Sequence, residues 1–129
     1  LSNKKIIVLG GSQTRPNIHI DDICDSYIHL MNNSNLIDSG AINAGFENIS
    51  IMDIAKLIQE KVDCDVEIKN SNDPRSYRQD STKLIKTGFK PKKNVSIAID
   101  EIIKAYKSGK LYDKPQYHTV KWMKDNKIS

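Results

Sequence analysis

The chain has little of what marks most specialised classes of protein. Only two of its 129 residues are cysteine, Cys24 and Cys64, 40 positions apart. Neither has a second thiol nearby, so no metal or redox motif is indicated; two unrelated small side chains in a reducing cytoplasm are favoured over a structural disulfide. No apolar run approaches the roughly 18 residues that a membrane span needs, and no secretory signal opens the chain. The expectation is therefore a cytoplasmic protein without a membrane partner. Positive charge is not concentrated: 20 lysines and arginines stand against 16 acids, and only Lys90, Lys92 and Lys93 form a local cluster. Nucleic-acid binding usually needs a basic stripe, so none is expected. Internal repeats, low-complexity tracts and linkers are also absent. His29 and His118 have no partners at ligand spacing, so no metal site is expected.

Glycine is too sparse for a dinucleotide fingerprint. Gly10-Gly11 closes the β-branched run Lys5–Leu9, but Ser12-Gln13-Thr14-Arg15-Pro16 follows. There is no third glycine, and a proline stands where a helix should begin, so a plain turn is the better reading. Two Tyr-x-x-x-Lys matches occur, Tyr106 to Lys110 and Tyr117 to Lys121. On one helical face a lysine would lower the phenol's pKa. The first pair crosses Ser108-Gly109 at a helix end and the second follows Pro115, so neither reads as a catalytic pair.

What is present is ordinary for a soluble globular chain, with 38% hydrophobic and 28% charged residues. The length fits one domain, or a piece of one, that buries roughly 65–70% of its extended surface. The chain begins at Leu1 rather than Met and enters an apolar run almost at once, which suggests a segment of a longer protein.

Strands are expected at Lys5–Leu9, Asn17–Ile20, Ala41–Ala44 and Val66–Lys69. Asp21-Asp22 suits the N-cap of a helix whose stripe is Cys24, Tyr27, Ile28 and Met31, ending at Asn32–Asn35. Ser50 caps a helix with Ile51, Ile54, Ala55, Ile58 and Val62 on one face, and Asp53 stands at the capping-box position. Ser81 caps a short helix through Leu84 and Ile85 that Gly88 ends. Beyond Pro91, Val95, Ala98, Ile99, Ile102, Ile103 and Tyr106 stripe a longer helix that stops near Gly109. Trp122 and Met123 lie in a weak helix or extended tail. The strands are too few and scattered for a complete doubly wound sheet, so the fold class is a small mixed α/β lobe.

Two groups of residues could carry chemistry. One is Gln13–Asp22, with Arg15 on a turn before a strand. The other is Asp73–Leu84, with Arg75, Arg78, Tyr77 and the carboxylates Asp73 and Asp80. A guanidinium is a planar, permanently charged fork, so arginines from two separate loops could clamp a diphosphate; a single such loop is more often solvated or ion-paired. Histidine as a residue type suits a general base, but the place of His19 beside a helix cap favours a structural role with its ring hydrogen-bonded there.

The two groups together resemble a known family. Arg15-Pro16-Asn17-Ile18-His19-Ile20-Asp21-Asp22 is similar to its Arg-x-x-(Val/Ile)-His-Val-x-Asp segment. Ile42-Asn43-Ala44-Gly45 with the Ser50-capped helix is similar to its Asn-x-Gly strand end. Asp73–Leu84 followed by Thr87-Gly88-Phe89-Lys90-Pro91 is similar to its Asp-x-Arg…Asp-x-x-Lys…Leu-Gly-(Phe/Trp)-x-Pro ending. The family is the NAD-dependent epimerase/dehydratases, extended short-chain dehydrogenases that act on nucleotide sugars, and the resemblance covers about residues 3–108.

The resemblance implies the carboxy-terminal, substrate-binding cap of a Rossmann-type enzyme, over residues 1–110 with a tail at 111–129. Arg15 and Arg75 would bind the diphosphate of a nucleotide sugar, with Asp73 and Tyr77 as nearby support. Asp22 and Asp80 would cap helices, Lys83 would pack or pair locally, and Arg78 would stay on the surface. The glycine-rich NAD site and the catalytic Tyr-x-x-x-Lys would lie in the missing Rossmann domain. The segment alone would then be inactive, with no catalytic residue, metal or NAD of its own, and the parent's NAD and any homodimer contacts would lie outside it. The rival reading is a stand-alone, non-catalytic module that binds a phosphorylated ligand or a partner protein.

Overall fold

The computed structural model describes residues 1, 3–37, 40–71, 73 and 75–128; Pro74, within the arginine-bearing stretch, lies outside them. Lys5–Leu9 forms β1, and Asp65–Lys69 forms β4 beside it in parallel, from Lys5 opposite Asp65 to Leu9 opposite Lys69. A parallel pair needs a long crossover. That crossover carries β2 (Thr14–Asn17), α1 (Ile20–Asn32), a 3₁₀ turn at Ser34–Leu36, β3 (Glu47–Ser50) and α2 (Ile51–Gln59). β2 and β3 pair antiparallel, with Thr14 opposite Ser50 and Asn17 opposite Glu47. After β4 come α3 (Thr82–Lys86) and α4 (Val95–Lys107), then a 3₁₀ turn at Pro115–Tyr117 and α5 (Thr119–Asp125). The result is a small mixed α/β lobe, as its sparse strands imply.

Apolar runs and caps explain most of these elements. Ser50 caps α2, though without a full capping box: Asp53 N–H donates to Ser50 Oγ at 3.0 Å, and that hydroxyl, rather than the Ser50 N–H, donates to Asp53 Oδ2 at 2.7 Å. Asn94 Oδ1 accepts from Ile97 N–H at 2.9 Å to start α4, and Glu47 Oε2 accepts from Val95 N–H at 2.5 Å. Gly11, at φ +111°, turns the chain from β1 towards β2; a Cβ there would lie 3.1 Å from Met52 Cε and 3.2 Å from Val8 Cγ1. α2 packs on β1, β3, β4 and α4, around a core of Val8, Ala55, Leu84, Phe89 and Ile99. Phe89 stacks on Phe46 at 5.8 Å and meets the edge of His29 at 5.6 Å.

Four local expectations are corrected. The second strand lies three residues earlier, at Thr14–Asn17, because His19 leaves the sheet to become the N-cap of α1. Its Nδ1 accepts from Asp21 N–H at 3.1 Å, so Asp21 and Asp22 are already helical. Ala41–Ala44 is not a strand; its neighbourhood is tied instead to the loop before α3, through Asn43 Nδ2 to Asp80 O and Gly45 N–H to Ser81 Oγ. Ser81 therefore does not cap α3 with its side chain. Its buried hydroxyl bridges Gly45 N–H and Gly45 O, while Asp80 Oδ1 takes the Thr82 N–H at 2.9 Å. Asp80 caps its helix, but Asp22 does not cap α1.

The fourth correction concerns which side of α1 is buried. The apolar stripe points outwards: Ile20, Tyr27 and Met31 are 67%, 66% and 69% exposed, and Cys24 and Ile28 are exposed with them. The buried side is polar, Asp22 and Ser26. Asp22 accepts from the backbone N–H groups of Lys92 and Lys93 at 3.0 and 2.9 Å, which draws this face of α1 against the strand-like entry to α4. Among the described residues no helix is long and apolar enough to cross a membrane. Both cysteines are free.

Candidate anion-binding site

Arg15, Asp73, Arg75 and Tyr77 meet on one open face. Arg15 sits in β2, where Pro16 is tolerated because the pair has free edges. The segment 75–77 runs along one of those edges: Tyr77 N–H donates to Thr14 O at 3.0 Å and Thr14 N–H to Ser76 Oγ at 3.0 Å. Arg15 is held at its guanidinium end, its NH1 group donating to Thr14 O at 3.0 Å and Arg75 O at 2.7 Å. Its guanidinium carbon lies 5.1 Å from the centre of the Tyr77 ring, a cation–π contact.

Arg75 is held differently. Its Nε and NH2 groups donate to Asp73 Oδ1 and Oδ2 at 2.6 and 2.8 Å, a two-pronged fork on the carboxylate. Asp73 Oδ2 also lies 3.6 Å from Arg15 NH2, so this one carboxylate stands between both guanidiniums. Hydrogen bonding from Arg75 pulls the Asp73 carboxyl down to about 2, and Asp73 in turn raises Arg75. Two cations facing one carboxylate leave an excess of one positive charge. The Arg75 side chain is 67% exposed and that of Arg15 only 28%.

Residues with no obvious chemistry shape the loop. Asn48 in β3 forms a reciprocal pair with Gln79: its Nδ2 donates to Gln79 O at 3.0 Å and its Oδ1 accepts from Gln79 N–H at 2.9 Å. With Asn43, Ser81 and Gly45, this laces residues 79–81 to residues 43–48. Gly45 permits the approach, since a Cβ there would lie 2.9 Å from Pro16 Cβ and 2.3 Å from Gln79 Oε1. Asn43 and Gly45 belong to the Asn-x-Gly segment noted in the sequence, whereas nothing in the sequence points to Asn48. Arg78 and Lys83 are exposed.

The other candidates are structural. His19 is buried, and because Nδ1 accepts a backbone N–H, its proton is on Nε2 and donates to Glu101 Oε2 at 3.0 Å. His19, Asp21 and Glu101 offer atoms within 4.8 Å of one another, as a cation site would. Lys93 Nζ, however, is 2.6 Å from both Asp21 Oδ2 and Glu101 Oε1, so an ammonium already fills that role. The Tyr106–Lys110 pair straddles the end of α4, and Tyr117 precedes α5 while Lys121 lies within it, so neither pair shares a helix.

Gly10-Gly11 leads into β2 rather than a helix, and Gln13 Oε1 accepts the Gly11 N–H at 2.6 Å. No helix N-terminus waits there for a pyrophosphate, so these residues do not fit a nicotinamide dinucleotide.

No family model matches the chain. It is 30% identical over 108 residues to a rice (Oryza sativa subsp. japonica) protein described as probable GDP-L-fucose synthase 1, covering 79% of this chain and 32% of that protein. Its fold matches the carboxy-terminal part of RMD from Pseudomonas aeruginosa, solved in complex with NADPH, with a TM-score of 0.67 and 18% identity over 82% of this chain and 37% of that one. The chain thus spans about a third of the length of the relatives it matches.

Proposed function

We propose that this chain, which belongs to the extended short-chain dehydrogenase/reductases of the epimerase and reductase type, anchors the diphosphate of a nucleotide sugar for its enzyme. The observation that carries this reading is the convergence of Arg15 and Arg75, 60 positions apart, on one exposed face. The nucleotide-sugar name of the rice relative supports it. The work of these residues is to bind and to orient: two forks on the phosphates would fix the sugar relative to a reactive centre elsewhere in the protein. Binding energy spent far from the reacting atoms helps by positioning them. Hydride chemistry belongs to a nicotinamide cofactor, NAD or NADP, held by residues outside this segment.

The outward apolar stripe of α1 fits the same proposal. A lobe of residues 1–110 with a tail at 111–129 would lay that stripe against the nucleotide-binding portion of the protein, which would also complete the wall of the anion site. Within the chain, α5 packs chiefly on its own 3₁₀ turn, as a tail would.

The test is titration of the intact protein with GDP at low and high salt. Arg15→Ala and Arg75→Ala each remove a charge-assisted contact of about 1.5–3 kcal/mol, so the affinity should fall at least about tenfold in each and its salt dependence should flatten. Unchanged affinity in both variants would overturn the clamp.

A further inference from the structure

We propose that Asp73 is the resident occupant of the anion site, holding Arg75 until an incoming diphosphate displaces it and thereby excluding weaker anions. The proposal rests on the anion-binding reading above and deepens it. Asp73 presents two oxygens to Nε and NH2 of Arg75 at 2.6 and 2.8 Å, the edge-on fork that two phosphate oxygens would use. The same carboxylate is 3.6 Å from Arg15, so it lies where an oxyanion shared by both arginines would lie.

The two arginines are also unlike in freedom. Arg15 is anchored to two carbonyl oxygens and packed on Tyr77, and serves as a fixed post. Arg75 extends from an exposed loop, and Asp73 is the partner its guanidinium holds. A swing of one exposed side chain would transfer it from the carboxylate to a phosphate without disturbing β2.

Charge decides which ligands can make the exchange. With Asp73 in place the site carries a single excess positive charge, and a monoanion gains little by competing with a carboxylate two residues away in sequence. A diphosphate, with at least two negative charges on adjacent phosphoryl groups, can engage Arg15 and Arg75 together. The site should therefore discriminate by ligand charge and span more than by simple affinity for oxyanions.

The test is Asp73→Asn in the intact protein, with inorganic pyrophosphate and acetate as probes in isothermal titration. Asparagine keeps an Oδ1 that can accept the Arg75 N–H, now 3.1 Å away, so the turn is preserved. Exchange predicts about fivefold to tenfold tighter pyrophosphate binding in Asp73→Asn, a steeper dependence of affinity on salt, and weak acetate binding that the wild type lacks. If Asp73 instead orients Arg75 for the ligand, the variant binds pyrophosphate more weakly or equally, and exchange is refuted. Arg75→Ala separates the two ideas. Should it weaken pyrophosphate binding while Asp73→Asn does not tighten it, only the exchange fails; should it change nothing, the anion site fails with it.

Discussion

Asp22 offers the sharpest test of how this lobe is held together. It is 1% exposed, and its two oxygens take the N–H groups of Lys92 and Lys93 at 3.0 and 2.9 Å, some 70 residues along the chain. Asp22→Ala would strand both donors at the junction between α1 and the entry to α4. An unsatisfied buried donor costs about 1–3 kcal/mol, so two would cost at most about 2–6 kcal/mol. A chain of this length has an unfolding entropy of roughly 0.27 kcal/mol per kelvin, which turns that loss into a melting-point drop of roughly 7–22 °C.

Urea unfolding followed by circular dichroism would measure the loss directly. Asp22→Asn should fall at least about 1 kcal/mol, because one oxygen remains and the other is replaced by a donor facing a donor. Pyrophosphate affinity of the folded variants should stay within about twofold of wild type, since Asp22 touches neither arginine. A loss below about 0.5 kcal/mol for Asp22→Ala would show that water reaches these amides and that the clamp contributes little.

Two further predictions follow from charge and exposure. Arg75 holds the folded-state pKa of Asp73 near 2, below the ordinary carboxylate value of about 3.9, so the pair stabilises the fold fully above about pH 4. That contribution is lost as pH falls towards 2, and Asp73→Asn should lack this part of the acid limb; superimposable acid-unfolding curves for the two proteins would refute the assignment. The α1 stripe should make the separate chain self-associate, because each such side chain gains about 1.5–3 kcal/mol on full burial. Tyr27→Glu with Met31→Lys should then raise the dissociation constant at least about tenfold by sedimentation velocity, and no change would show that the stripe is inert.

Where structure is set by neighbours in sequence, it could be read from the residues alone. β1 is a dense apolar run and β4 an alternation of apolar and charged residues; α2 is announced by Ser50, Asp53 and a 3.6-residue period; α4 is announced by its stripe and ended by glycine. The structural role of His19 was also legible from its place at a strand–helix junction, although it caps the helix itself rather than bonding beside a cap formed by Asp21 or Asp22. Strand limits were less legible. His19 leaves the pattern to cap the next helix and Gly45 to meet Ser81, 36 residues away, neither of which a local period records.

The sequence by itself determined most of the helices, the first and last strands and the chemistry available: two permanently charged forks, two nearby carboxylates and an order of motifs similar to those of a nucleotide-sugar family. Only the tertiary structure decided which of these groups meet. The Tyr77 N–H, donating to Thr14 O, and the Ser76 hydroxyl, accepting from Thr14 N–H, bring Arg75 to Arg15 along the free edge of β2, and Asp73, rather than Asp80, comes to stand between them. Tertiary structure likewise turned α1 over, because the buried Asp22 carboxylate needs donors and the N–H groups of Lys92 and Lys93 supply them. Periodicity shows that a helix has an apolar face, but the long-range bonds of its opposite face determine whether this lobe buries it.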